Sequence, residues 1–417
     1  MQPSRCGRLD QASQRKNATC RLPVKRFAGP DWPVEFVDVA TPTQTQLETG
    51  RPALALAAAP GRLVSLDVFR GATIAAMILV NNPGSDAAYW PLHHAPWNGW
   101  TPTDLIFPFF LFIVGVSLVF SFASRMRRGD SRQSLLLHVL RRSAIIFAIG
   151  LLLNGLPYFH PATWRIPGVL QRIAVAYLAA ALITLYSNTK ARIACIVGLL
   201  AGYWALMRFV PVPGYGIPTH QIPLLHPDAN LTAWLDRRLM SGHLWEGTRD
   251  PEGILSTLPA IATVLCGVLT GEWLRSRRSL QQKAAWMLVA GAAGIIAGEV
   301  WGIWFPINKN LWTSSFVLLT SGCALVGLAF CYWALDVKLH NGWWTRPFVI
   351  FGTNAIAAYV ISEVLGGSFG WKEVIFQHTF AQLGPPGFAS LLYSLAIVGV
   401  CFLPVWWMYR QRIFLKA

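Results

Sequence analysis

Ten stretches of this chain stay apolar over roughly 20 residues, the length a helix needs to cross the hydrocarbon core of a bilayer. They fall at about 64–82, 104–123, 138–156, 168–187, 192–209, 254–274, 284–304, 311–333, 347–366 and 387–409. Backbone inside lipid must satisfy its own N–H and C=O groups, so each stretch is expected to be a helix. Composition agrees. Charged residues make up 13% of the chain, where soluble domains carry roughly 25%, and the mean hydropathy is +0.43. The 19 tryptophans suit the two membrane interfaces. The expected fold class is therefore all-α: an integral membrane, polytopic bundle of about ten transmembrane helices filling residues 61–417. Residues 1–60 are polar and rich in Pro, Thr and Gln, with no sustained apolar period, and read as a disordered cytoplasmic tail.

The net charge of +16 has a sidedness that tests this division. Around the link between the second and third stretches stand Arg125, Arg127, Arg128, Arg132, Arg141 and Arg142. Lys190 and Arg192 follow the fourth stretch, Arg275, Arg277, Arg278 and Lys283 the sixth, and Lys338 and Arg346 the eighth. Alternate links are poor in Lys and Arg: none between 83 and 103, Arg165 alone after the third, Lys309 after the seventh, Lys372 after the ninth. The 210–253 link departs with Arg237, Arg238 and Arg249. The positive-inside rule then puts both termini in the cytoplasm and the 83–103 link outside. The excess charge is explained by the membrane, and no nucleic-acid partner is expected. The seven cysteines show no CxxC spacing and read as thiols rather than a disulfide or zinc framework.

Polar groups at span ends carry the candidate chemistry. "WPLHHAPWNGWTPTDLIFPFF" (90–110) sets His93, His94 and Asp104 at the outer mouth of the second stretch. Neutral imidazole is the usual general base near neutral pH and can also be a nucleophile, and a carboxylate that orients a histidine is a common arrangement. Asp104 also suits a helix's first turn without any further role. Asn81 ends the first stretch, where an amide either donates to a carbonyl oxygen or caps the helix. Outer-side candidates for a polar substrate are Arg172 in "GVLQRIA", Glu252 in "DPEG", and Asn308, Lys309 and Asn310 in "FPINKNLW". Asp67 and Arg70 share a helical face near the cytoplasmic side, either as a structural ion pair or as a contact to a ligand entering there. No HxxxH or HExxH pattern is present and no metal is expected; GxGxxG, P-loop and GxSxG contexts are lacking too.

"SLDVFRG", "LHHAPWNGWTPTDLIFPFFLFIVG", "GVLQRIA", "DPEGILSTLPAIATVLCGVLTG", "FPINKNLWTSSFVL" and "FGTNAIAAYV" together resemble the heparan-α-glucosaminide N-acetyltransferase family, in particular its bacterial branch of membrane acyltransferases linked to amino-sugar utilisation. The resemblance runs over roughly residues 62–410, with Pro96 where a serine is common. It implies an acetyltransferase that takes acetyl-CoA, as co-substrate, from the cytosol and acetylates a glucosamine-type amino sugar on the periplasmic side of a bacterial cytoplasmic membrane. It makes His94 the functional histidine, with Asn81 and Asp104 beside it, and draws Trp97 and Asn98 into the acceptor site. Asp67, Arg70, Arg141 and Arg142 are the expected donor-side contacts. The expected mechanism is direct transfer in a ternary complex, with His94 as general base, Asn81 as oxyanion donor and Asp104 orienting His94. An acetyl-His94 ping-pong route, O-acetylation of a glycan and a non-catalytic sugar or ion transporter are the alternatives, and a homodimer is left open.

Overall fold

The computed structural model describes residues 63–367 and 371–415. All of them belong to the compact unit Phe36–Ala417; the tail expected at 1–60 lies outside the described residues. Thirteen helices follow in order: α1 Val64–Asn81, α2 Ile106–Arg127, α3 Arg132–Asn154, α4 Val169–Tyr186, α5 Thr189–Phe209, α6 Leu231–Met240, α7 Thr257–Leu274, α8 Leu280–Gly302, α9 Ser314–Tyr332, α10 Thr345–Thr353, α11 Ala355–Gly367, α12 Trp371–Ile375 and α13 Pro386–Arg410. Among the described residues β-structure amounts to two isolated bridges, Val212 with Gly216 and Pro218 with Ile222. Among the described residues nine helices are long and apolar enough to cross a membrane, or ten if the bent pair α10 and α11 counts as one span. The chain is a multi-pass membrane protein of the expected class.

Burial separates two kinds of helix. In α1, α2, α4, α7 and α9 more than half of the apolar window is buried, whereas in α3, α5 and α8 less than a third is. The first set forms the core, where Ile74, Leu111, Ala174, Val264 and Phe316 meet. The second turns most of its surface to lipid, which costs nothing to apolar side chains. Helices in lipid gain their association from close packing, so small residues mark the tight crossings. A Cβ at Gly115 of α2 would stand 1.9 Å from the Val264 carbonyl of α7, and one at Gly267 would stand 2.0 Å from the Phe112 carbonyl.

Three boundaries differ from the sequence reading. First, α3 begins at Arg132, capped by the Ser131 hydroxyl accepting from Ser134 N–H. Arg132, Arg141 and Arg142 are therefore helical, not part of a link. Second, the 210–253 link contains α6, amphipathic and too short to span. Third, the 347–366 stretch is broken at Asn354, with an 86° bend between α10 and α11. No proline causes it. Close approach to α1 does: a Cβ at Gly352 would stand 2.1 Å from the Asp67 carbonyl, and one at Gly71 1.7 Å from the Phe348 carbonyl. Arg70 caps the broken end by donating to the Gly352 carbonyl (3.1 Å), and Asn354 holds the C-terminal segment through Ile413 O (3.0 Å) and Leu415 N–H (2.9 Å).

Candidate active site

Thr101 and Asp104 form a capping box at the 3₁₀ turn Pro102–Leu105 that leads into α2. Oδ2 of Asp104 accepts from the N–H groups of Thr101 and Ala95, each at 3.0 Å, and from the Thr101 hydroxyl at 3.2 Å. That hydroxyl also reaches the His93 carbonyl, at 2.6 Å. One carboxylate oxygen thereby fixes the loop around His94. The other, Oδ1, lies 2.7 Å from His94 Nδ1. Asp104 is fully buried, while the His94 side chain is 50% exposed. The tautomer that donates its Nδ1 proton to Asp104 presents the Nε2 lone pair to incoming groups.

The link between α8 and α9 brings Lys309 to the same place. Its Nζ stands 2.9 Å from His94 Nδ1, 3.1 Å from Nε2 and 3.6 Å from Asp104 Oδ1. An ammonium nearly equidistant from both ring nitrogens does not lie along the lone pair of either. Burial lowers the Lys309 ammonium from its ordinary range, and Asp104 and Glu252 act against that loss.

Asn308 anchors the two links to each other. Its fully buried amide donates to Trp97 O (3.0 Å) and Asn98 Oδ1 (3.2 Å), and its Oδ1 accepts from Leu311 N–H (2.9 Å). Trp97 donates to Leu225 O at 2.7 Å. These hydrogen bonds make Asn308 and Trp97 scaffold for the site; Asn98 remains exposed. Asn310 lines a small recess with Trp97, Asp236, Glu246, Arg249 and Asp250.

A second polar cluster surrounds the "DPEG" turn. Arg165 donates through Nε and Nη2 to both oxygens of Asp250 (2.9 and 2.8 Å) and through Nη2 to Glu252 (2.6 Å). Burial works against the Arg165 charge, but these two carboxylates hold it above its ordinary range. Arg172 is buried with its guanidinium 5.0 Å over the Trp312 ring, and it donates to Ser256 and Gly253 O. Asn81 donates to Glu363 of α11 at 3.5 Å, and Glu363 also bonds Tyr359. None of the hydrogen bonds in the described residues joins Asn81 to His94 or Asp104. His93, by contrast, is spent on its own loop, bonded to Ala88 O at 2.8 Å.

On the opposite side, Arg70 donates to Asp67 (3.2 Å) and Ser117 (2.8 Å) as well as to Gly352 O, so the pair has a structural use. Arg141 is exposed, and Arg142 lies 5.0 Å over the Tyr177 ring. Thr101, Arg165 and Tyr359 escaped sequence reasoning. For Thr101 the signal was there: a threonine three residues before an acid at a helix start. Nothing local marked Arg165 or Tyr359.

The family model for heparan-alpha-glucosaminide N-acetyltransferase, catalytic, matches residues 62–299. The heparan-alpha-glucosaminide N-acetyltransferase of Mus musculus is 33% identical over 367 residues, covering 75% of this chain and 55% of that protein. The Homo sapiens protein of the same name is 32% identical over 417 residues, covering 87% of this chain and 61% of its own length. The chain thus spans less than two thirds of either relative. The family match takes in more than half of the chain, including the loop that holds His94 and Asp104: the chain belongs to the heparan-alpha-glucosaminide N-acetyltransferase family.

Proposed function

We propose that the chain is a transmembrane acetyltransferase that moves an acetyl group from cytosolic acetyl-CoA to the amine of a glucosamine-type sugar on the outer side of a bacterial cytoplasmic membrane. The observation that carries this reading is the 2.7 Å contact between His94 Nδ1 and the buried Asp104, which leaves Nε2 at a half-exposed position. In the proposed step the amine nitrogen attacks the thioester carbonyl and its proton passes to Nε2 of His94. The C–S bond then breaks, and the CoA thiolate takes the proton from the imidazolium. Asp104 holds the ring and stabilises its charged form. A ternary complex avoids moving the charged nucleotide through lipid. CoA phosphates stay at the basic cytoplasmic mouth while the pantetheine arm reaches inward. Both termini lie in the cytoplasm in this arrangement.

The break at Asn354 invites comparison with the discontinuous helices of transporters. Here the side chain at the break is engaged by the C-terminal backbone, and Arg70 caps the helix end, so the packing accounts for it without transport.

The test is thiol release by purified protein. Acetyl-CoA with glucosamine should liberate CoA, His94→Ala should lose nearly all of that activity, and His93→Ala should keep most of it. N-acetylglucosamine, which offers only hydroxyls, should not substitute. No release by the wild type would refute the reading. One equivalent of CoA and a His94-dependent labelled adduct without acceptor would replace direct transfer by the ping-pong route.

A further inference from the structure

We propose that Lys309 is a catalytic residue of this site, donating from its ammonium to the oxyanion of the tetrahedral intermediate. The inference rests on the acetyl-transfer reading above. It replaces a sugar-binding role for Lys309 and the oxyanion role expected of Asn81.

Geometry carries it. Whatever atom His94 Nε2 activates must come within hydrogen-bond distance of Nε2, and the Lys309 Nζ is already 3.1 Å from that nitrogen. Because the ammonium is nearly equidistant from the two ring nitrogens, it does not lie on the Nε2 lone-pair axis. The nucleophile can take that lone pair while the carbonyl carbon it attacks sits beside the ammonium. Asn81 donates to Glu363 at 3.5 Å, and Lys309 has the closer contact with the His94 ring.

Charge accounting points the same way. The step uses Asp104 as carboxylate, Lys309 as ammonium and an unprotonated Nε2 on His94. In the intermediate His94 has gained a proton and the substrate carbonyl has become an oxyanion. The imidazolium then faces Asp104 at 2.7 Å, and the oxyanion faces Lys309. The oxyanion meets a fixed charge of opposite sign without reorganisation, and Asp104 offsets the repulsion between Lys309 and the transient imidazolium. Lys309 stays protonated throughout. Its like charge beside the imidazolium drives the proton onward to the CoA thiolate when the C–S bond breaks. The C–N bond forms, one proton moves from amine to thiolate through His94, and no other reactant is needed. Partial burial of Lys309 strengthens the effect, because a poorly hydrated ammonium interacts more strongly with a new anion.

A sugar-binding lysine and an oxyanion-binding lysine differ in steady-state kinetics. Wild type, Lys309→Met and Lys309→Arg should be compared for kcat, KM for each substrate, acetyl-CoA binding and monodispersity. The expected result for Lys309→Met is a kcat about 10²–10³-fold lower, with both KM values within about threefold and donor binding intact. Lys309→Arg, which keeps a cationic donor, should recover at least about tenfold of the lost kcat. An unchanged kcat with a raised acceptor KM overturns the proposal in favour of sugar binding. Loss of acetyl-CoA binding together with kcat in both variants overturns it in favour of a purely structural counter-charge for Asp104. Acetyl transfer by the wild type that is indifferent to Lys309→Met sinks this inference alone; a wild type that transfers nothing sinks the underlying reading as well.

Discussion

Asp104 holds His94 with one carboxylate oxygen, Oδ1 to Nδ1 at 2.7 Å, and holds the polypeptide around His94 with the other. The division predicts the behaviour of Asp104→Asn. The amide oxygen can replace Oδ2 and keep the Thr101 and Ala95 N–H bonds, so the loop should survive. The amide nitrogen then faces Nδ1 and donates to it, which moves the ring proton to Nε2. His94 would be in the wrong tautomer to accept a proton. We expect a kcat loss on the order of 10²–10⁴-fold with little change in melting temperature or either KM. Near-wild-type kcat would remove Asp104 from catalysis and leave it as a helix cap.

Orientation is tested by chemical labelling. Asp86 is exposed in the 83–103 link, and Ser131 is exposed at the start of α3. In a cysteine-free background, Asp86→Cys should react with an impermeant thiol reagent in intact spheroplasts, and Ser131→Cys only after permeabilisation. The reverse pattern would invert the proposed sides of donor and acceptor.

The arginines near α3 separate into two kinds. Arg142 packs on Tyr177 and is half-buried, whereas Arg128 and Arg141 are exposed. If this face receives CoA phosphates, Arg128→Ala with Arg141→Ala should raise the acetyl-CoA KM several-fold at low salt, with the gap to wild type narrowing at high salt, and spare the acceptor KM. Arg142→Ala should instead lower the melting temperature. Unchanged donor KM in the double variant would assign the exposed arginines to topology alone.

Helix positions were legible because the bilayer imposes one length and one polarity on every crossing. The α1 limits differ by a residue or less from the apolar run. The pairing of His94 with Asp104 was legible too, since ten residues and a capping pattern link them. Lys309 was readable only as a polar group on the same side. Its contact with His94 spans 215 positions, and it depends on Asn308 joining two links that no local pattern relates. The break at Asn354 was hidden for a similar reason. Its cause is backbone contact between Gly352 and α1, and the sequence around it reads as an ordinary apolar run. Asp67 and Arg70 were visible as a pair, but the Gly352 carbonyl that Arg70 caps was not.

Asp236 gives a prediction about stability and pH. The residue is fully buried on α6, outside the membrane spans. Its Oδ1 accepts from Ile254 N–H at 2.9 Å, while Oδ2 is buried against Gly253 without a hydrogen-bond partner. Burial pushes its carboxyl up from an ordinary 3.8 to about 6; Asp250 adds to the shift, and the Ile254 N–H, Arg172 and Arg237 oppose it. The folded protein therefore binds this proton more tightly than the unfolded chain does. Its contribution carries no penalty below about pH 4, weakens stability as pH rises from about 4 to 6, and reaches its full cost above about 6. A shift of this size corresponds to about 3 kcal/mol. Asp236→Asn keeps an oxygen for Ile254 and carries no charge. Its melting temperature should match wild type near pH 4 and exceed it at pH 7.5, with the gap opening between those values. Comparing the two proteins at each pH cancels the other titrating groups. A variant that melts below wild type at pH 7.5 would show that Asp236 is held as a stabilised carboxylate by the nearby arginines, and would make the α6 segment an electrostatic clamp on the "DPEG" turn.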